Sequence, residues 1–171
     1  MRIGIAFGCF IPLHTGHMSL IDMALKENDR VVIGVCGYRA DRGRDFIPFA
    51  DRIALITRKY SSDRVTVVAI DDEKLGLDGT FTLSNWERWG GELFANAGLD
   101  PFSKADRYTW YTGEPSYREK LGKIYEGHEF RLIDRTVNTI SGTQVRENPS
   151  AHAGDIAPEF LEYLTKKGLT A

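Results

Sequence analysis

Residues 7–17 read Phe-Gly-Cys-Phe-Ile-Pro-Leu-His-Thr-Gly-His and follow directly on the first apolar run, Ile3–Phe7. Gly8 allows a sharp exit from that run and lets a ligand approach the backbone where no Cβ stands in the way. Pro12 stiffens the loop. His14 and His17 are three residues apart, with Gly16 between them at the predicted start of a helix. Both rings then lie on one side of an N-terminus whose free N–H groups attract anions. Imidazole donors there suit phosphate oxygens, since they add hydrogen bonds without a permanent charge that repels a metal ion. The segment reads as a phosphate cradle; the plain alternative is two histidines packed at a loop edge. A zinc site built from His14, His17 and Cys9 fits less well. The loop holds no carboxylate, and the histidine pair of helical zinc hydrolases has i,i+4 spacing with an intervening Glu.

A second constellation, Ile-Ser-Gly-Thr-Gln-Val-Arg-Glu-Asn, spans residues 140–148. Ser141 and Thr143 are good caps for a short helix, and Arg146 follows Thr143 on the same face. Two hydroxyls and a guanidinium there could hold another part of a polyphosphate. Taken alone, the segment also fits an ordinary capped surface helix.

These groups need a frame. Runs rich in Val and Ile occur at Ile3–Phe7, Val31–Cys36, Val65–Ile70, Arg107–Thr112 and Phe130–Ile133. Between and after them lie segments of helical spacing: Gly16–Asn28, Phe49–Tyr60, Leu83–Ala97, Pro115–Leu121, Gly142–Glu147 and Pro158–Lys167. That alternation predicts an α/β fold, a parallel sheet with helices on both faces. Such sheets bind ligands at the carboxyl ends of their strands, near the point where strand order reverses. The first motif falls at such an end.

The chain has 171 residues, 42% hydrophobic and 27% charged, with a formal net charge of -2, which predicts one globular domain over 1–171 and favours neither nucleic acid nor membrane as a partner. Cys9 and Cys36 form no metal-type spacing and are expected to be reduced thiols. No stretch approaches the ~20 apolar residues of a membrane helix, and a cytoplasmic protein is expected.

Together the two motifs are specific. Residues 8–17 fit the pattern G-x-F-x-P-x-H-x-G-H and residues 140–146 fit I-S-x-T-x-x-R, so the chain resembles the nucleotidylyltransferase superfamily over nearly its whole length. With the Asn-Trp-Glu-Arg-Trp segment at 85–89, it is most similar to one branch: the adenylyltransferase domain of the bacterial bifunctional nicotinamide mononucleotide (NMN) adenylyltransferase/ribosylnicotinamide kinase, of NAD-regulator type. The resemblance implies a single Rossmann-like, doubly wound parallel sheet with a small C-terminal helical segment. It implies that ATP and NMN give NAD and pyrophosphate. It also implies that Gly8, Cys9, Phe10 and Ile11 line the nucleotide phosphates together with His14 and His17, and that Ser141, Thr143 and Arg146 hold the ATP end; Phe7 and Gly16 are expected to bind the nucleotide as well. His14, His17 and Arg146 are the expected catalytic groups. The branch commonly has Lys where this chain has Cys9, which removes a cation near the phosphates. No kinase domain is expected, because no G-x-x-x-x-G-K-[ST] occurs, and no DNA-binding domain.

This chemistry explains why no nucleophilic triad is present. The attacking NMN phosphate is already an anion at neutral pH. Catalysis then rests on positioning and on neutralising charge as pyrophosphate leaves. Mg²⁺ carried by the ATP phosphates is the expected cofactor, with no protein metal site; Asp71, Asp72 and Glu73 are candidates to touch it but read better as a solvated acidic turn. Trp86 is expected to stack on the nicotinamide and Trp89 to lie in the core. Thr112 and Gly113, at the end of the fourth strand, are expected to read adenine or ribose, and Arg42 to meet a phosphate. Two other functions stay open: adenylyl or cytidylyl transfer to a different phosphate acceptor, and a sensor that binds NAD or ATP without turnover. The sequence leaves a homo-oligomer undecided.

Overall fold

The structure is a computed structural model, and it describes residues 1–37, 46–134, 136 and 139–170. Among these residues five strands form one parallel sheet: β1 (Arg2–Gly8), β2 (Arg30–Cys36), β3 (Val65–Ile70), β4 (Arg107–Thr112) and β5 (Glu129–Leu132), in the order β3-β2-β1-β4-β5. β1 is central, with Ile5 in register between Val32 of β2 and Trp110 of β4. The chain winds outward from β1 to β2 and β3, then crosses back to β4 and β5. The order therefore reverses beside β1, and a crevice opens where β1 and β4 end.

Among the described residues six helices cover the sheet: α1 (Thr15–Glu27), α2 (Phe49–Lys59), α3 (Leu83–Ala97), α4 (Pro115–Ile124), α5 (Gly142–Glu147) and α6 (Pro158–Lys166), with a 3-10 turn at Ala153–Asp155 before α6. The period-2 alternation of each strand divides the core into two layers. Ala6, Val31, Ile33, Val35 and Tyr111 pack with Ile21 and Ala24 of α1, Ile56 of α2 and Phe160 and Leu164 of α6. Ile3, Ile5, Val32, Val68, Ile70 and Trp110 face the other way, against Trp89, Leu93 and Phe94 of α3 and Leu121 of α4. Small residues decide how near α1 comes. A Cβ on Gly4 would lie 2.7 Å from Asn28 Nδ2 and 3.2 Å from the Ala24 methyl. That close seat lets α1 begin directly at the end of β1's loop.

Candidate active site

The loop from β1 into α1 is anchored on its inner side. Leu13 is fully buried, its carbonyl accepts the Ala157 N–H at 3.0 Å, and His14 forms an antiparallel bridge with Ile156. His14 caps α1: its Nδ1 accepts the Gly16 N–H at 3.2 Å, leaving the ring 5% exposed and stacked on His17 at 3.8 Å between centroids. A Cβ at position 16 would sit 3.1 Å from His14 Cε1, so the folded-back ring needs Gly16. His17 in turn meets the edge of the Phe10 ring at 5.0 Å.

α5 approaches from the other side. Ser141 Oγ accepts the Gln144 N–H at 3.2 Å while Gln144 Oε1 accepts the Ser141 N–H at 2.9 Å, a reciprocal capping box. Arg146 Nη1 donates to the Ile11 carbonyl at 2.8 Å and Nη2 to Thr143 Oγ1 at 3.2 Å. Gly142 permits this approach, since a Cβ there would lie 3.0 Å from Arg146 Nη1 and 3.4 Å from the Ile11 oxygen. Between the two segments lies a cavity of about 170 Å³ lined by Cys9, Phe10, Ile11, His17, Gly142, Thr143 and Arg146. The two motifs thus face one another across a small polar hollow at the carboxyl end of the central strand.

Over most of its length the chain matches a known sequence family. The cytidylyltransferase-like pattern fits residues 5–148, which include both motifs and the strands between them. The chain belongs to this family. Among its relatives, the trifunctional NAD biosynthesis/regulator protein NadR of Salmonella typhimurium is 33% identical over an alignment covering 96% of this chain and 41% of that protein. The phosphopantetheine adenylyltransferase of Methanopyrus kandleri is 39% identical over 72 residues, 38% of this chain and 46% of that enzyme. A crystal structure of NadR with NAD and AMP-PNP superposes with a TM-score of 0.75 at 30% identity, over 93% of this chain and 45% of that one. The chain therefore spans about two-fifths of the NadR proteins it matches, and the Rossmann-like nucleotidylyltransferase fold is established for it.

Not every residue expected at the family's site lines the cavity. His14 stands behind His17, and Ser141 caps the helix that presents Thr143. Phe7 turns away from the hollow into an aromatic group, with its ring 4.8 Å from Trp89, 5.6 Å from Tyr117 and 6.1 Å from Trp86. Trp86 and Trp89 are equally covered, 7% and 6% exposed, so burial does not separate a ligand tryptophan from a core one. Phe81, 60% exposed, stacks over Trp86 at 6.1 Å, and the buried Trp86 Nε1 has no acceptor among the described residues. Thr112 ends β4 and Gly113 follows it, and Thr112 Oγ1 accepts the Glu114 N–H at 3.0 Å. Arg42 lies outside the described residues.

Two further groups are wholly or partly withdrawn from solvent: Arg52, to which the sequence assigned no chemistry, and Asp72, expected in a solvated turn. Arg52 of α2 is 1% exposed, held by carbonyls of Ile47, Cys9 and Cys36, and burial lowers its pKa. Its signal was helical spacing: Arg52, Leu55 and Ile56 form the buried stripe of α2. The second is Asp72, just past β3, whose carboxyl is pushed up to about 6 by burial and by neighbouring Asp71, against the pull of Arg52. Asp71 forms a local turn, its Oδ1 accepting the Glu73 and Lys74 N–H groups at 3.1 Å. Among the described residues no three His, Cys, Asp or Glu side chains converge as a metal site, and no helix is long and apolar enough to cross a membrane.

Proposed function

We propose that this chain is an adenylyltransferase of NAD synthesis that joins ATP and NMN into NAD and pyrophosphate. The observation that carries the reading is the cavity in which the loop after β1, His17, Thr143 and Arg146 meet. An NMN phosphate oxygen attacks the α-phosphorus, the bond to the β-phosphate oxygen breaks, and its electron pair leaves with pyrophosphate. His17 donates to an α-phosphate oxygen whose charge and geometry change during attack. Arg146 exchanges its bond to the Ile11 carbonyl for the departing phosphates, and Thr143 Oγ1 adds a neutral donor. Mg²⁺ bound to the ATP phosphates, not to the protein, would offset the remaining polyphosphate charge. The nicotinamide ring joins the aromatic group of Phe81, Trp86 and Tyr117, and the Trp86 N–H serves its substituent. Thr112 and Gly113 read the adenosine from the end of β4. The NadR relationship over 96% of the chain supports this acceptor.

Phosphopantetheine is the second reading, favoured by the 39% identity of the shorter alignment. The tryptophan group, suited to a flat ring, speaks for NMN. A pyrophosphate-release assay with ATP, Mg²⁺ and a panel of acceptor phosphates separates them. NMN is expected to give the highest kcat/KM. A preference of about tenfold or more for nicotinate mononucleotide or phosphopantetheine overturns the acceptor, and nucleotide binding without release from any acceptor makes the protein a sensor.

A further inference from the structure

Arg52 carries a full charge in the interior, yet its hydrogen bonds go to carbonyls, and Asp72 acts on it only through its charge. Its Nη1 donates to two carbonyls at once, Cys9 at 2.6 Å and Cys36 at 2.8 Å, and its Nε donates to Ile47 at 3.1 Å. The guanidinium face rests on the Phe49 ring, 5.1 Å from its centroid. One side chain thereby joins the exits of β1 and β2 to the entry of α2. The Cys9 bond matters most for chemistry. The Cys9–Phe10 peptide is trans, so fixing its carbonyl toward the buried guanidinium turns the Phe10 N–H to the opposite side. That N–H donates to no group among the described residues, and Phe10 lines the cavity. Phe10 also has φ +53°, a backbone conformation that side chains other than Gly seldom keep unless the surroundings hold them.

We infer that Arg52 is a positioning residue for phosphate binding: by holding the Cys9 carbonyl it aims the Phe10 N–H into the cavity as an oxyanion donor, and it sets a cation beneath the loop. The inference deepens the proposed function, since the ligand is the phosphate chain of a nucleotide. It requires only that a polyphosphate occupies the cavity, whether or not transfer follows.

The test is a backbone-amide NMR titration of the full chain with inorganic tripolyphosphate and, separately, with adenosine. In the parent protein the Phe10 amide is expected to shift with tripolyphosphate and to stay still with adenosine. Arg52→Met is expected to lose that response and to bind tripolyphosphate about tenfold or more weakly, while its adenosine affinity stays within about twofold. Arg52→Lys keeps the charge but not the forked donor; it serves if the Met variant fails to fold, and it is expected to show an intermediate affinity and a displaced Phe10 response. A purely structural arginine would lower the melting temperature without changing the ratio of the two affinities. A folded variant with the parental response and affinity overturns the proposal, and so does a parental Phe10 amide indifferent to tripolyphosphate. A normal response in a protein that transfers AMP to no acceptor refutes the proposed function alone.

Discussion

His17 and His14 occupy different layers of the same stack, and the difference predicts their mutants. His17 lines the cavity, so His17→Ala is expected to fold, bind ATP within a few-fold of the parent and lose about 10²–10³ in kcat, the cost of one preorganised donor to a developing charge. Single-turnover kinetics checks this, and a kcat within threefold of the parent would leave His17 as a binding group only. His14 holds the start of α1 through Gly16 and supports the His17 ring, so its loss weakens both. The acceptor side calls for a different substitution. Trp86→Ala would remove a buried ring and cost roughly 3–5 kcal/mol of stability, obscuring any effect on binding. Phe81 is mostly exposed, so Phe81→Ala leaves stability within about 0.5 kcal/mol. The acceptor KM is expected to rise about two- to tenfold, as loss of one aromatic contact implies, with the ATP KM unchanged. Equal effects on both substrates in steady-state kinetics would place Phe81 outside the acceptor site.

At the scale of elements, α5 has only six residues and depends on its cap. Ser141→Ala removes the acceptor for the Gln144 N–H and is expected to cost about 1 kcal/mol of stability. Because Arg146 reaches Ile11 from this helix, the ATP KM is expected to rise as well. Thermal denaturation with initial rates tests both, and a lower melting temperature with an unchanged KM would mean that the Ser141 cap does not set the position of Arg146. Such elements were legible in the sequence because burial follows period. α3 runs Leu83–Ala97 as its pattern predicts, and α1, expected at Gly16–Asn28, begins one residue earlier because His14 takes the cap. The 3-10 turn at Ala153–Asp155 was not, since three residues carry no periodicity. Arg52 was hidden for another reason. A charged residue in a helix usually faces water, and only the carbonyls of three separate segments, which no local pattern reveals, make its burial affordable.

Two partly buried groups outside the cavity lining tie stability to pH. Trp110 Nε1 donates to His128 Nδ1 at 2.9 Å, so the proton on Nε2 goes to the Pro101 carbonyl at 2.8 Å and the ring is neutral. Burial holds His128 below its ordinary pKa. Its contribution is complete above the unfolded value of about 6.5 and is lost as pH falls, because the unfolded chain takes the proton first. Asp72 acts in the opposite sense: with its folded pKa raised to about 6, its ionised form costs stability above that pH and the cost is relieved below it. Comparison with His128→Gln isolates the histidine. Urea unfolding from pH 7.5 to 5 is expected to show the parent losing stability relative to the variant, and parallel curves would contradict the burial of a neutral ring. The bridge from His14 to Ile156 and the bond from Ala157 to Leu13 reach across nearly the whole chain. On the ribosome, β1 and its loop emerge long before the backbone that fastens them. The hollow is therefore fastened only once Ile156 and Ala157 have emerged, and a nascent chain stalled before Ile156 carries both sequence motifs without the pocket they build.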